Sequence, residues 1–224
     1  MLGFGSFKNS YYFLDNSKSR IYIFDESFNF SSYKTISNPA YMVVIGDTFY
    51  ITGNSKIYKT DTNFNILNQY NPTSTSCYRG IYYNSSNSLI YAVAFKLNLI
   101  QLFSLNLTLN DSINTQSFIP YAITSYNNQL YVGTANGSIL VIENKIIVNS
   151  FNACAGKMAS INSVLIDQYG EIATTCSSNK VYFYDSKRNY MNKSISTHTY
   201  PRFITFDSQN RFLVISYYRI SIYF

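Results

Sequence analysis

At 224 residues, with 12% charged side chains, a net charge of +6 and 18% aromatics carried by 23 Tyr and 17 Phe, the chain has the size of one all-β domain and a composition suited to half-buried strands. Four Pro and nine Gly exclude collagen-like and proline-rich disordered classes. No apolar run approaches the roughly 18 residues that cross a bilayer, so membrane insertion is not expected.

The start, Met1-Leu2-Gly3-Phe4-Gly5-Ser6-Phe7, lacks a charged segment followed by an apolar stretch, so no secretion leader is expected. This stretch aligns without a gap with Pro120 to Tyr126, and the same register places Met1, Pro39, Tyr78, Pro120, Ile161 and Pro201 at equivalent points, about 40 residues apart. That period is the length of a four-stranded propeller blade, and six starts predict six blades in a single domain over 1–224. In chain order, each unit opens with an apolar strand and a tight turn such as Gly46-Asp47, Asn127-Asn128 or Asp207-Ser208-Gln209-Asn210. A second strand follows, as in Phe49-Tyr50-Ile51 or Leu130-Tyr131-Val132, and then a third, as in Ile21-Tyr22-Ile23-Phe24 or Val181-Tyr182-Phe183-Tyr184. An outer strand comes after an acidic or Asn-rich turn such as Asp61-Thr62-Asn63-Phe64-Asn65. The fold class expected is therefore an all-β, six-bladed propeller of antiparallel blades.

The last unit stops early. Its third strand, Ile220-Ser221-Ile222-Tyr223, runs to Phe224, so blade six is expected to have three strands, with a segment preceding Met1 in a longer parent forming the fourth.

The order Pro-x-x-Ile/Val, Asp-containing hairpin, Tyr-Val strand and Asn-Arg-Ile/Val step resembles the NHL-type repeat. Pro201 to Phe224 and Ile161 to Asp185 carry it best, the latter through Asp167, Gly170, Asn179, Lys180 and Val181. Tyr78 and Ile161 stand where Pro is expected, and Leu99 and Ser138 where a base is expected. The Trp-Asp signature of WD-type propellers is absent, since the chain has no Trp. The NHL-type resemblance implies a six-bladed binding scaffold, used across that family for RNA, protein or, in a related enzyme, peptide chemistry.

An enzyme is not expected. The one histidine, His198, sits between Thr197 and Thr199 and reads as a loop residue, so a multi-histidine metal site is excluded. Most acids lie in hairpin turns rather than where they would gather around a calcium ion. No cofactor or metal is expected. Cys77, Cys154 and Cys176 read as ordinary thiols, with a Cys154 to Cys176 bridge as the alternative in an oxidising compartment. Six Asn-x-Ser/Thr sites, at Asn29, Asn84, Asn106, Asn110, Asn136 and Asn192, tilt the compartment slightly toward the extracellular side, although chance alone gives roughly five.

Charge sorts by topology. The linker face of a propeller, where blades connect and second strands lead to third, receives Lys18, Arg20, Lys34, Lys56, Arg79, Lys96, Lys157, Lys180, Arg202 and Arg219 against Asp15 and Asp111, for about +8. The opposite face receives nine acids and five bases, for about −4. Arg20, Lys56, Lys180 and Arg219 each precede a third strand and are expected to pack along it. The binding residues expected are Arg79, Tyr121, Asn162 and Arg202, which share the register position directly after a blade start. Arg forks carboxylate or phosphate and Tyr stacks on flat surfaces, which suits a protein partner. RNA or an acidic glycan on the same face is the alternative, and a channel-sited hydrolase or lyase a second one. The domain is expected to be monomeric, within a larger protein.

Overall fold

The computed structural model describes residues 3–53, 55–72, 76–154, 159–197, 199–207, 211–216 and 219–223. They fall into two compact units, Met1–Ser112 and Ile113–Phe224.

The first unit holds three antiparallel sheets in which neighbours in sequence are neighbours in space. The first contains β1 (Gly3–Phe7), β2 (Ser10–Asp15), β3 (Arg20–Asp25) and β4 (Phe30–Thr35). The second contains β5 (Pro39–Ile45), β6 (Thr48–Gly53), β7 (Ile57–Thr60) and β8 (Ile66–Tyr70). The third contains β9 (Tyr78–Asn84), β10 (Leu89–Ala94), β11 (Leu99–Phe103) and β12 (Leu109–Asn114), whose last two residues pass the unit boundary. Period-two alternation turns Leu14, Tyr12, Phe49 and Ile51 into one core between the first two sheets, which Phe64 joins from the turn after β7, and Tyr50, Ile57, Tyr78, Ile90 and Phe103 into another between the second and third. Each such side chain contributes about 1.5–3 kcal/mol by leaving water. Tyr78, standing where other blades begin with Pro or Ile, is wholly buried with its hydroxyl bonded to Gln101, and burial pushes that hydroxyl well above the usual phenol range.

The second unit repeats the plan. Its sheets are β13 (Pro120–Tyr126), β14 (Gln129–Thr134), β15 (Ser138–Glu143) and β16 (Ile146–Asn152); then β17 (Ile161–Ile166), β18 (Ile172–Cys176), β19 (Lys180–Tyr184) and β20 (Tyr190–Ser196); then β21 (Pro201–Phe206), β22 (Phe212–Ser216) and β23 (Ile220–Tyr223). Two-residue hairpins close β13–β14 at Asn127-Asn128 and β15–β16 at Asn144-Lys145, all four with positive φ. That is the backbone a primed hairpin turn requires, and Asn tolerates it best among residues with a side chain. Ile139, Val141, Ile161, Ile172 and Tyr184 fill the space between the fourth and fifth sheets, and Ala173, Val181, Ile204 and Val214 that between the fifth and sixth.

The strand starts at 39, 78, 120, 161 and 201 coincide with the expected blade starts, and the last sheet has three strands, as the count required. Met1, the Ser208-Gln209-Asn210 turn and Phe224 lie outside the described residues. No helix is long and apolar enough to cross a membrane among the described residues.

The turn from third to fourth strand recurs in three blades as Asp-x-x-x-Asn. In the first, Asp25 Oδ1 accepts the N–H groups of Ser27 and Asn29, and Oδ2 accepts the Asn29 side-chain amide. Asp61 holds Asn63 and Asn65 in the same way, and Asp185 holds Asn189. These bonds fix the positive φ of Phe28, Phe64 and Arg188, a conformation that an unsupported side chain would avoid.

One expectation is corrected. Cys154 and Cys176 form a disulfide with Cα atoms 5.9 Å apart, and only Cys77 is a free thiol. The reason is local packing: the buried Thr174 hydroxyl donates to the Ala153 carbonyl at 3.0 Å, which lays the segment after β16 along β18.

Candidate functional site at the blade starts

Each of β5, β13, β17 and β21 meets its neighbour with one extra residue just inside the strand start. Pro39 faces Gly53 and Tyr41 faces Thr52, leaving Ala40 out of the ladder. In the same way Tyr121 is left between Pro120 and Ala122, Asn162 between Ile161 and Ser163, and Arg202 between Pro201 and Phe203. In the third sheet the step runs from Tyr78–Ala94 to Ile81–Ala92, so Arg79 and Gly80 together stand opposite Val93. Such β-bulges free a side chain from the alternation of the strand and re-aim it. All four residues expected from the sequence to bind therefore occupy one structural device.

In the second unit, Asn162 is only 2% exposed. Its amide nitrogen donates to the Pro201 carbonyl at 3.1 Å, and its amide oxygen accepts Nη1 of Arg202 at 3.3 Å. Asn162 is thus a positioning residue that ties the fifth sheet to the sixth and orients Arg202, rather than a surface contact. Arg202 is half-buried, with its Nε buried. Tyr121 is half-buried at the start of β13. In the first unit, Arg79 lies with its guanidinium carbon 4.7 Å from the ring centroid of Phe95, in the short 3-10 turn Phe95–Leu97. Its carbonyl accepts the Thr52 hydroxyl at 2.7 Å. The second sheet has Ala40 at this position, 1% exposed, and offers no polar group there.

Two of the bases that precede third strands contact the outer strand of their own blade. Arg20 lies 4.2 Å over the Tyr33 ring, and Lys56 Nζ donates to Gln69 at 3.4 Å. Within the second unit Lys180, Arg202 and Arg219 lie at the linker ends of their strands, whereas the hairpin ends carry Glu143, Asp167, Glu171, Asp185 and Asp207 together with Lys145, Lys187, Arg188 and Arg211, so the excess of bases is at the linker ends. Lys157 and His198 fall outside the described residues. Among the described residues, no three His, Cys, Asp or Glu side chains gather where they would hold a metal ion.

Sequence reasoning found the register position but missed the bulge, and with it Asn162's burial and the roles of Thr52 and Phe95. The available signal was Pro at 39, 120 and 201: a proline opening a strand costs no ladder bond, and the irregularity follows directly after it.

Six successive antiparallel meanders of this kind define a six-bladed β-propeller. The chain is similar in structure to a catalytically inactive virginiamycin B lyase from Staphylococcus aureus, crystallised with quinupristin, with a TM-score of 0.75, 15% identity, and coverage of 99% of this chain and 83% of the other. It is also similar to the computationally designed Ika8 protein, with a TM-score of 0.66, 9% identity, and coverage of 100% of this chain and 70% of that one. Likeness at these identities establishes the fold alone. No family model matches the chain, and no curated protein matches it in sequence.

Proposed function

We propose that this propeller is a non-catalytic recognition module that binds a protein partner through the linker ends of its blades, with Arg202 and Tyr121 as contacts in the second unit and Arg79 in the first. The observation that carries this reading is the Asn162–Arg202 pair, in which a buried amide holds the side chain of a half-buried Arg at a β-bulge. A pre-oriented Arg loses little side-chain entropy on binding, which is why Arg and Tyr anchors dominate the energetics of protein interfaces. The NHL-type resemblance points the same way, toward a binding scaffold. The test is a comparison of partner affinity between the protein and the Arg79→Ala/Arg202→Ala double variant across a salt series. The double variant is expected to weaken binding by about 30-fold, the effect of losing an anchor worth about 2 kcal/mol, with weak salt dependence in the parent protein. Undiminished affinity in a folded double variant overturns the proposal. A steep fall in affinity with salt assigns the surface to a phosphate polymer instead, and turnover of a substrate assigns it to an enzyme.

A further inference from the structure

The six Asn-x-Ser/Thr triplets carry nothing by their number, but the fold sorts them by what surrounds each amide. Two lie on outer strands. Asn110, Asp111 and Ser112 are all exposed on β12, an edge strand of the third sheet, and Asn192, Lys193 and Ser194 are all exposed on β20, an edge strand of the fifth. Asn192 stands in a bulge. Tyr190 faces Tyr184 and Ser194 faces Tyr182, so Met191, Asn192 and Lys193 together stand opposite Phe183, with Asn192 at φ 57°. Among the described residues, neither the Asn110 nor the Asn192 side-chain amide bonds to another group.

The other four are held by their surroundings. The Asn29 amide donates to Asp25 Oδ2 at 3.1 Å and belongs to the turn after β3. Asn84, half-buried at the end of β9, accepts the Ser86 N–H at 3.0 Å. Asn106 Oδ1 accepts Lys59 Nζ at 3.3 Å while its carbonyl accepts the Asn68 amide at 2.7 Å, which ties it to the second sheet. Asn136 Oδ1 lies 2.6 Å from the Thr134 hydroxyl and accepts the N–H of Ser138, a half-buried residue of β15.

The disulfide is an independent observation that points to the compartment. Cys154 and Cys176 are joined and both 0% exposed, and a bridge of this kind is kept by chains that fold under oxidising conditions. Asparagine acceptors are modified in chains that enter the same secretory route.

We propose that Asn110 and Asn192 carry N-linked oligosaccharides. The donor is an oligosaccharide on a lipid diphosphate. Nδ2 of each Asn bonds the anomeric carbon of the first sugar, the bond from that carbon to the diphosphate oxygen breaks with its electron pair, and the amide gives up one proton. A sugar at either position stands in water, whereas at Asn29, Asn84, Asn106 or Asn136 it would crowd a bond that shapes a turn or joins two sheets. It also shields a vulnerable surface. Among the described residues β12 and β20 are unpaired along their outer sides, and they expose Leu109, Tyr190 and Met191, an edge that invites pairing with other chains unless something covers it.

The test is peptide mass mapping of the full protein purified from the cells that make it, before and after treatment with peptide-N-glycosidase. The intact mass is expected to fall on treatment, with residues 110 and 192 then read as Asp. Ser112→Ala and Ser194→Ala, at exposed positions, are each expected to remove one oligosaccharide, and Ser112→Thr and Ser194→Thr to keep it. An unmodified protein, or sugar at Asn84, Asn106 or Asn136 with Asn110 and Asn192 bare, overturns the proposal. Recovery of Cys154 and Cys176 as free thiols from the same preparation also overturns it, because the chain has then not folded in an oxidising compartment.

Discussion

The hydroxyl of Thr52 on β6 donates to the carbonyl of Arg79 on β9 at 2.7 Å and accepts the N–H of Tyr41 at 3.1 Å, so one buried side chain closes the bulge of its own blade and fastens the next blade to it. Replacing it with Val keeps the shape and removes both bonds from a buried position. Thr52→Val is expected to lower unfolding free energy by about 1–3 kcal/mol in chemical denaturation. A loss below the error of the fit would show that water satisfies the carbonyl equally well.

The disulfide closes a loop between residues 22 apart in sequence. Loop-closure entropy of this size is worth about 3 kcal/mol, so Cys176→Ser, or reduction, is expected to destabilise the chain by about that amount. Thiol titration in denaturant is expected to find Cys77 alone before reduction and all three cysteines after it. Three thiols without reductant would show that the bridge does not form.

The carboxyls of the Asp-x-x-x-Asn turns are held below the usual carboxylate range. For Asp61 the largest cause is the Asn65 side-chain amide, followed by the backbone N–H groups of Asn65 and Asn63; for Asp25 and Asp185 it is the backbone N–H of Asn29 and Asn189, followed by their side-chain amides. Depressed folded values mean that the stabilisation is complete above the unfolded carboxylate value, near about 3.9, and is lost as pH falls through the folded values. In an NMR titration, Asn65→Ala is expected to move the Asp61 midpoint upward while Asp185 stays where it is. An unmoved Asp61 would make the backbone bonds sufficient by themselves.

Two glycines make opposite predictions. A Cβ on Gly3 would stand 2.1 Å from the Ala40 carbonyl oxygen, a backbone atom that cannot swing away, so Gly3→Ala is expected to cost about 1–3 kcal/mol or more. Gly46, at φ 58° with nothing near its missing Cβ, is expected to accept Asn with a change of about 0.5 kcal/mol or less. Melting temperatures of the two variants decide both, and equal losses would contradict the packing described at Gly3.

The blade starts were legible because Pro39, Pro120 and Pro201 recur in one register, and the three-stranded end was legible because Ile220–Tyr223 can be counted against its counterparts. Asn162 was not. Its amide suggests a surface, and only the approach of Pro201 from the next blade makes it an interior strut. The Cys154–Cys176 bridge is hidden for the same reason, since spacing along the chain does not disclose that Thr174 draws residue 153 onto β18. What sequence showed well was local periodicity; what it hid were the pairs that tertiary packing alone brings together.

The residue skipped by the ladder at each blade start carries a consequence for how this protein varies. Side chains within a strand are constrained by partners across both edges and by the sheet stacked on each face. The one beside the opening proline is released from the first of these constraints. Ala, Arg, Tyr, Asn and Arg again occupy it in successive blades on the same backbone irregularity. The position is therefore one where the side chain can differ from blade to blade on a shared backbone step, and at Asn162 that side chain also ties the fifth sheet to the sixth.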